Sequence, residues 1–437
     1  MEIKSSPIYG SMLGTNPISK GGGYVVLPGK YQGSPASLRL DETVLSKHLL
    51  LIGGTGCGKT NVFNFLIRDI QSRMTERDVM LIFDTKGDYY STFGRASDVL
   101  IANSPGLRDR TAQWNIFREL LADGWTDDAL ETNAQELSWA IFREAIDKSK
   151  DPFFPNAARD LFAAVLLCML KAGRDDEDYR HQNFYNCELK RAFEESTISE
   201  IGDMLLDEPS VASVTSYIGD GENTQALGVY AEMLSVFRRL FVGAFAAKGS
   251  FSMRDFIRKK GGRTLYIEYD LAVGNLLSPI YSLLFDLALK EALGRGRSEG
   301  NIYLICDEFR LLPYLQHIDD GVNFGRSMGV KVIAGLQSIN QLTEVYKQAR
   351  GANIAAGFST VMAFRANDRD TREYVSGLFG RNYIKEEYRT LANSVREERR
   401  SANVVEDWDM NGLEVGQAVV GLPFAQPFRF QFDLFSK

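Results

Sequence analysis

The stretch HLLLIGGTGCGKTNVFNFL, residues 48–66, decides the fold. Four apolar residues, Leu49-Leu50-Leu51-Ile52, run into Gly53-Gly54-Thr55-Gly56-Cys57-Gly58-Lys59-Thr60, and helical spacing follows from Thr60 to Arg73. The loop fits G-x-x-x-x-G-K-[ST], in which glycines let successive backbone N–H groups curl inward around a phosphate. The helix behind it adds the positive end of its dipole. Chance supplies such a match in roughly a few per cent of chains of this size, but rarely between a buried strand and a helix. Lys59 is the residue that reaches phosphate oxygens, Thr60 the one that ligates Mg²⁺, and Asn61 opens the helix.

Outward from the loop, the pattern is strand, helix, strand. Val79 to Phe83 is apolar and closes at Asp84; further strands are predicted at Thr264–Tyr269, Asn301–Cys306, Val330–Leu336 and Thr360–Phe364. Helices are expected between them, at Leu276–Leu293 and Leu315–Met328. This order predicts an α/β fold with a central, mostly parallel sheet. Between the second strand and Thr264 the periodicity is helical: Ala129–Lys148, Ala157–Ala172, Cys187–Glu195, Ile198–Leu206 and Tyr230–Phe241. The division expected is a lead-in at 1–47, a first part of the nucleotide-binding domain at 48–121, an all-α insertion at 122–239, and its second part at 240–437. The lead-in is rich in Gly, Ser and Pro, with one strand at Tyr24–Leu27. Two short segments near the end, Gln417–Val420 and Phe428–Phe435, predict an antiparallel hairpin.

A second acidic element closes the strand at 301–306. Asp307 and Glu308 stand together at its C-terminal end, where ligands sit in open α/β sheets. Asp307 is placed to hold Mg²⁺, and Glu308 to orient or deprotonate an attacking water. A Glu beside the Asp favours hydrolysis over transfer to another substrate. Gln337, at the end of Val330–Leu336, is equally a γ-phosphate contact or a strand cap. Arg326 reads as a transition-state arginine or, on spacing alone, more readily as a surface ion pair. Asp84-Thr85-Lys86-Gly87-Asp88 reads equally as a nucleotide-edge segment or a polar turn. The basic stretch Arg389–Arg400 reads equally as a solvated helix or a DNA contact.

Composition narrows the class less sharply. The 437 residues are 44% hydrophobic and 24% charged, with net charge −7 and pI 5.3. That argues against a monomer coating nucleic acid through a basic face, though not against a ring with a basic bore. Four scattered cysteines and three histidines give no zinc spacing and point to a reducing, cytosolic setting. The apolar runs, such as Leu161–Leu170, fall short of the roughly 20 residues a spanning helix needs.

In order and spacing these motifs, together with Trp114-Asn115 and Phe117 before the helical block and Phe324-Gly325-Arg326-Ser327-Met328-Gly329-Val330, resemble the type IV coupling proteins of conjugation and type IV secretion, relatives of the FtsK and HerA pumps. The resemblance implies a RecA-like P-loop NTPase domain with an all-α domain, binding ATP and Mg²⁺ at the boundaries of a homo-hexamer, with a monomer in isolation as the alternative. It implies Gly53 to Asn61 as the nucleotide cradle, Thr60 and Asp307 as metal ligands, Glu308 as the catalytic glutamate, Arg326 as an arginine finger and Gln337 as a sensor. The implied partners are DNA or a relaxosome and the secretion components, at the cytoplasmic face of the inner membrane. Such proteins usually carry an N-terminal pair of membrane helices; none is read here, which implies an anchor removed or supplied by a separate partner. A protein-moving secretion ATPase and a recruiting adaptor are the competing readings.

Overall fold

The computed structural model describes residues 3–14, 23–219, 221, 223–294, 299–389, 395–423 and 425–436. Its strands are β1 (Ile3–Gly10), β2 (Val25–Tyr31), β3 (Ser34–Leu40), β4 (Leu49–Ile52), β5 (Val79–Asp84), β6 (Val99–Ile101), β7 (Arg263–Glu268), β8 (Ile302–Cys306), β9 (Val330–Leu336), β10 (Thr360–Phe364), β11 (Arg381–Arg389), β12 (Val395–Asn403), β13 (Gln417–Gly421) and β14 (Phe428–Phe432). Among the described residues, eleven of them form one sheet in the order β3-β2-β14-β13-β10-β4-β9-β8-β5-β7-β6. Every pairing from β10 to β6 is parallel, and every pairing from β10 outward to β3 is antiparallel.

The parallel strands are buried along their length because helices cover both faces. Alternation sends Leu49 and Leu51 to one side, where the helix Lys59–Arg73 packs Val62, Phe63, Leu66 and Ile70 on them. Leu50 and Ile52 face the other side, with Leu277, Ile280, Leu284 and Ala288 of the helix Gly274–Leu293 in the same core. Because these strands are parallel, their C-terminal ends share one edge of the sheet.

Helices fill the stretch between β6 and β7, from Ile116–Leu120 through Asp127–Lys148, Phe153–Ala172 and Thr224–Leu240 to Met253–Lys259. Trp114 and Asn115 root this block. The Asn115 amide donates to the carbonyls of Phe184 and Gly249, both at 2.9 Å, while the Asn186 amide donates to those of Trp114 and Phe245. The Trp114 indole donates to Glu119, a fully buried carboxylate that also accepts from Ser252 and the Met253 N–H. The helix Phe153–Ala172 is long and apolar enough to cross a membrane by length and composition, and its side chains are largely packed within the block.

Three expectations are corrected. The lead-in is not merely extended: β2 and β3 join the main sheet through β14, and β1 pairs with β11. The basic stretch at 389–400 is no helix. Its described part falls in the hairpin of β11 and β12, held by charge pairs such as Lys385–Glu397 and Arg400–Glu386. Residues 390–394 lie outside the described residues. The helix expected at Leu315–Met328 is limited to Ile318–Asn323 and a tight turn at Gly325–Met328. A Cβ on Gly325 would come within 2.9 Å of the Val330 side chain, so the chain folds back too closely for a continuous helix. The C-terminal hairpin forms as expected, and also extends the sheet beyond β10.

His48 sits at the start of β4 with φ of +59°, buried, its Nδ1 accepting from the Val332 N–H at 3.0 Å. Burial, with Lys331 and Arg326 adding to it, pushes its pKa down to about 4. A folded pKa below the unfolded value means the unfolded chain takes up a proton that the native state refuses. Stability is therefore full above about pH 6.5 and falls towards pH 4, by up to about 3 kcal/mol. Urea unfolding at pH 7 and pH 4.5 should show this loss, and His48→Asn, which tolerates the left-handed backbone, should show less of it.

Candidate functional site

The loop after β4 is shaped by close approaches. Gly53 has φ of +152° and an added Cβ would lie 2.7 Å from Phe364; its N–H donates to the Leu336 carbonyl. Gly58, at φ of +110°, caps the helix Lys59–Arg73 without a side-chain hydrogen bond. The first N–H groups of that helix thus remain for an anion. The Lys59 ammonium is folded onto the loop, donating to the carbonyls of Gly53 at 2.6 Å and Gly54 at 3.2 Å. Cys57 is buried beside it, and burial raises its pKa, so it packs as a thiol.

Thr60 Oγ1 donates to Asp307 Oδ2 at 2.9 Å, bringing together the two residues expected to bind metal. The pair fits Mg²⁺, which is held by one or two carboxylates with the rest of its shell from water and phosphate. The same Asp307 oxygen accepts from the buried Tyr89 hydroxyl at 2.7 Å. The Asp307 backbone is pinned as well, since a Cβ on Gly335 would meet its carbonyl oxygen at 2.1 Å.

Because β9 lies between β4 and β8, its end stands between the loop and the acidic pair. Gln337 uses this position twice. Its Nε2 donates to Glu308 Oε2 at 2.7 Å, and its Oε1 accepts from the Thr55 hydroxyl at 3.2 Å. Glu308 Oε1 accepts from Arg310 at 3.0 Å. Gln337 is therefore a bridge across the site rather than a strand cap.

Other residues fall elsewhere. Arg326 is exposed in the turn before β9, at the N-terminal edge of the sheet, and the seven residues of β9 separate it from the loop's edge by roughly 20 Å. Asn61 spends its amide on the C-terminal segment, donating to the Asp433 carbonyl at 2.8 Å and accepting from the Phe435 N–H at 2.7 Å. Asp84 turns back to accept from the N–H groups of Tyr90 and Lys86, so its segment is a capped turn. A cleft of about 640 Å³ lined by Lys30, Tyr31, Arg429 and Gln431 contains no residue of the loop.

Two parts of the site escape the sequence reading. Tyr89 lies just past Asp84–Asp88, and a tyrosine in a short helix carries no local signal that it will reach a carboxylate 218 positions away. Gly416, whose N–H donates to the Cys57 carbonyl at 2.9 Å, braces the loop from the turn before β13. Its φ of +79° is the only trace such a role leaves, and sequence shows it merely as a glycine.

Comparison with known proteins matches residues 34–415 to the model of the type IV secretion-system coupling protein DNA-binding domain. The coupling protein TraD of Escherichia coli K12 is 22% identical over 384 residues, covering 84% of this chain and 50% of TraD. VirD4 of Agrobacterium fabrum is 24% identical over 337 residues, covering 71% of this chain and 47% of VirD4. The chain thus spans about half the length of these curated relatives. Among solved structures, unbound TrwB superposes with a TM-score of 0.72 at 20% identity, covering 96% of this chain and 90% of TrwB. TrwB has also been solved with ADPNP, with GDPNP, and with ADP and Mg²⁺. The RecA-like α/β core with its helical block is the TrwB fold, and the match across residues 34–415 makes this chain a member of the type IV secretion-system coupling protein family.

Proposed function

We infer that the chain is an ATPase whose hydrolysis cycle drives DNA, with any attached protein, toward a type IV secretion channel. The observation that carries the reading is the linked set Thr60–Asp307 and Thr55–Gln337–Glu308 at one edge of the sheet. It supports reading Thr60 and Asp307 as a metal-binding pair, and Gln337 and Glu308 as a water-orienting pair, beside one phosphate loop. ATP and Mg²⁺ are the ligands this site suits, and TrwB is a relative that takes both an ATP analogue and ADP with Mg²⁺.

The N–H groups of Thr55 to Thr60 cradle the phosphates, and Lys59 leaves the Gly53 and Gly54 carbonyls for phosphate oxygens. Thr60 and Asp307 would hold Mg²⁺, which supplies charge neutralisation on the terminal phosphates. Tyr89 fixes the Asp307 carboxylate. Glu308, oriented by Gln337, draws a proton from water as its oxygen bonds the γ-phosphorus and the bond to ADP breaks. The products are ADP and inorganic phosphate. Arg326 lies too far from its own loop to assist there, so it acts on a neighbour's nucleotide, in a homo-hexameric ring.

Charge distribution favours DNA contact outside the helical block. Residues 122–239 hold 23 Asp and Glu against 11 Lys and Arg, which leaves the remainder of the chain with 34 against 39. The acidic block, taken as the insertion domain, is suited to recruiting proteins of the relaxosome or secretion apparatus, at the cytoplasmic face of the membrane. The deciding experiment is ATP turnover against protein concentration, with and without DNA. Turnover should rise with both; DNA-independent turnover, with cargo binding retained in Lys59→Ala, would instead support a recruiting adaptor.

A further inference from the structure

Two large apolar side chains stand in solvent beside the phosphate loop. Val415 is 71% exposed and Leu434 is 85% exposed. Single exposed apolar residues are ordinary on protein surfaces. These two differ in where their backbones are tied. Val415 precedes Gly416, whose N–H donates to the Cys57 carbonyl. Leu434 lies between Asp433 and Phe435, the two residues clasped by the Asn61 amide. The segments adjoin: the Phe432 N–H donates to the Gly416 carbonyl at 2.8 Å, and the Gln431 amide donates to the Val415 carbonyl at 3.0 Å.

The direction of a bound nucleotide follows from the rest of the site. The reacting, terminal phosphate belongs beside Glu308, Gln337 and Asp307, which sit on the β8 and β9 side of the loop. The β10 side is closed by backbone, with Gly53 packed on Phe364 and the Gly54 N–H bonded to the Arg365 carbonyl. The nucleoside therefore leaves by the Cys57–Asn61 side, where Gly416 and the 433–435 segment are fastened.

Resting on the nucleotide-site reading above, we propose that Val415 and Leu434 form an apolar seat for the nucleobase of the bound nucleotide. The seat contacts the base through its face. The amides of Asn61 and Gln431, which tie down these two segments, are committed to backbone groups and do not read the base edge. Purine nucleotides are then held with little discrimination between adenine and guanine.

The test is calorimetric titration of the full chain with Mg²⁺–ADP, Mg²⁺–GDP and Mg²⁺–pyrophosphate, at concentrations where sedimentation shows monomer. For wild type, ADP and GDP should bind within about threefold of each other, since under 1 kcal/mol separates them. In Val415→Ser/Leu434→Ser, ADP should bind about 10–100-fold more weakly, with pyrophosphate binding unchanged as the internal control for folding. The single variant Leu434→Ser should show part of the same loss. Unchanged ADP affinity in the double variant overturns the proposal, as does an equal loss for pyrophosphate. So does a loss seen only in assembled protein, which would assign both residues to a subunit contact. Wild type binding none of the three ligands would instead overturn the nucleotide-site reading itself.

Discussion

Arg326→Ala is expected to lower ATP turnover of the assembled protein by about 10³–10⁵, the range over which arginine fingers act, while leaving nucleotide affinity of the isolated chain unchanged. The two halves of this result have one geometric cause. Arg326 is exposed at the N-terminal edge of the sheet, and the phosphate loop follows β4 at the C-terminal edge. No side chain spans that separation, so on the function proposed above the guanidinium would meet a nucleotide only in a neighbouring copy. Phe324, 66% exposed two residues earlier, would be covered in the same contact. Steady-state turnover across a range of protein concentrations checks this. Wild type should accelerate as it assembles and the variant should not. Equal, concentration-independent rates in both would refute a shared site.

Glu308→Gln should abolish most hydrolysis with Mg²⁺–ATP binding retained. General-base catalysis contributes about 10²–10⁴ in rate, and the amide loses the basicity on which it depends. The variant keeps the shape of the side chain. It leaves Thr60–Asp307 untouched and leaves the Lys59 and loop contacts intact, so affinity should hold within a few-fold. The Gln337 Nε2 that donates to Glu308 Oε2 still finds an oxygen acceptor in the new amide. Filter binding of labelled ATP alongside phosphate release separates the two quantities. Parallel loss of binding and hydrolysis would place Glu308 among the phosphate or metal contacts instead.

How far the sequence reached can be followed strand by strand. β4, β5 and β7 to β10 are legible because strands buried on both faces must be continuous apolar runs. β3 is not, since Ser34-Pro35-Ala36-Ser37-Leu38-Arg39-Leu40 buries only Leu38 and Leu40 fully. β6 is three residues long, too short for any period to show. β11 and β12 carry charges of both signs on most positions, and only pairing across the hairpin selects strand over helix.

The glycine loop after β4, the adjacent Asp307 and Glu308 and the periods of the individual helices between β6 and β7 were determined by the sequence itself, because each rests on neighbours within a few residues. A glycine loop curls, a buried strand ends in carboxylates, and a helix shows its period locally. The tertiary structure alone decided which edge each group occupies. It set Gln337 between Thr55 and Glu308, aimed Tyr89 at Asp307, turned Asn61 away to the C-terminal segment, and carried Arg326 to the far edge of the sheet. Those outcomes depend on strand order and on contacts between residues tens to hundreds of positions apart. Local pattern carries no record of them, because it is the packing of the whole sheet that fixes which distant side chains meet.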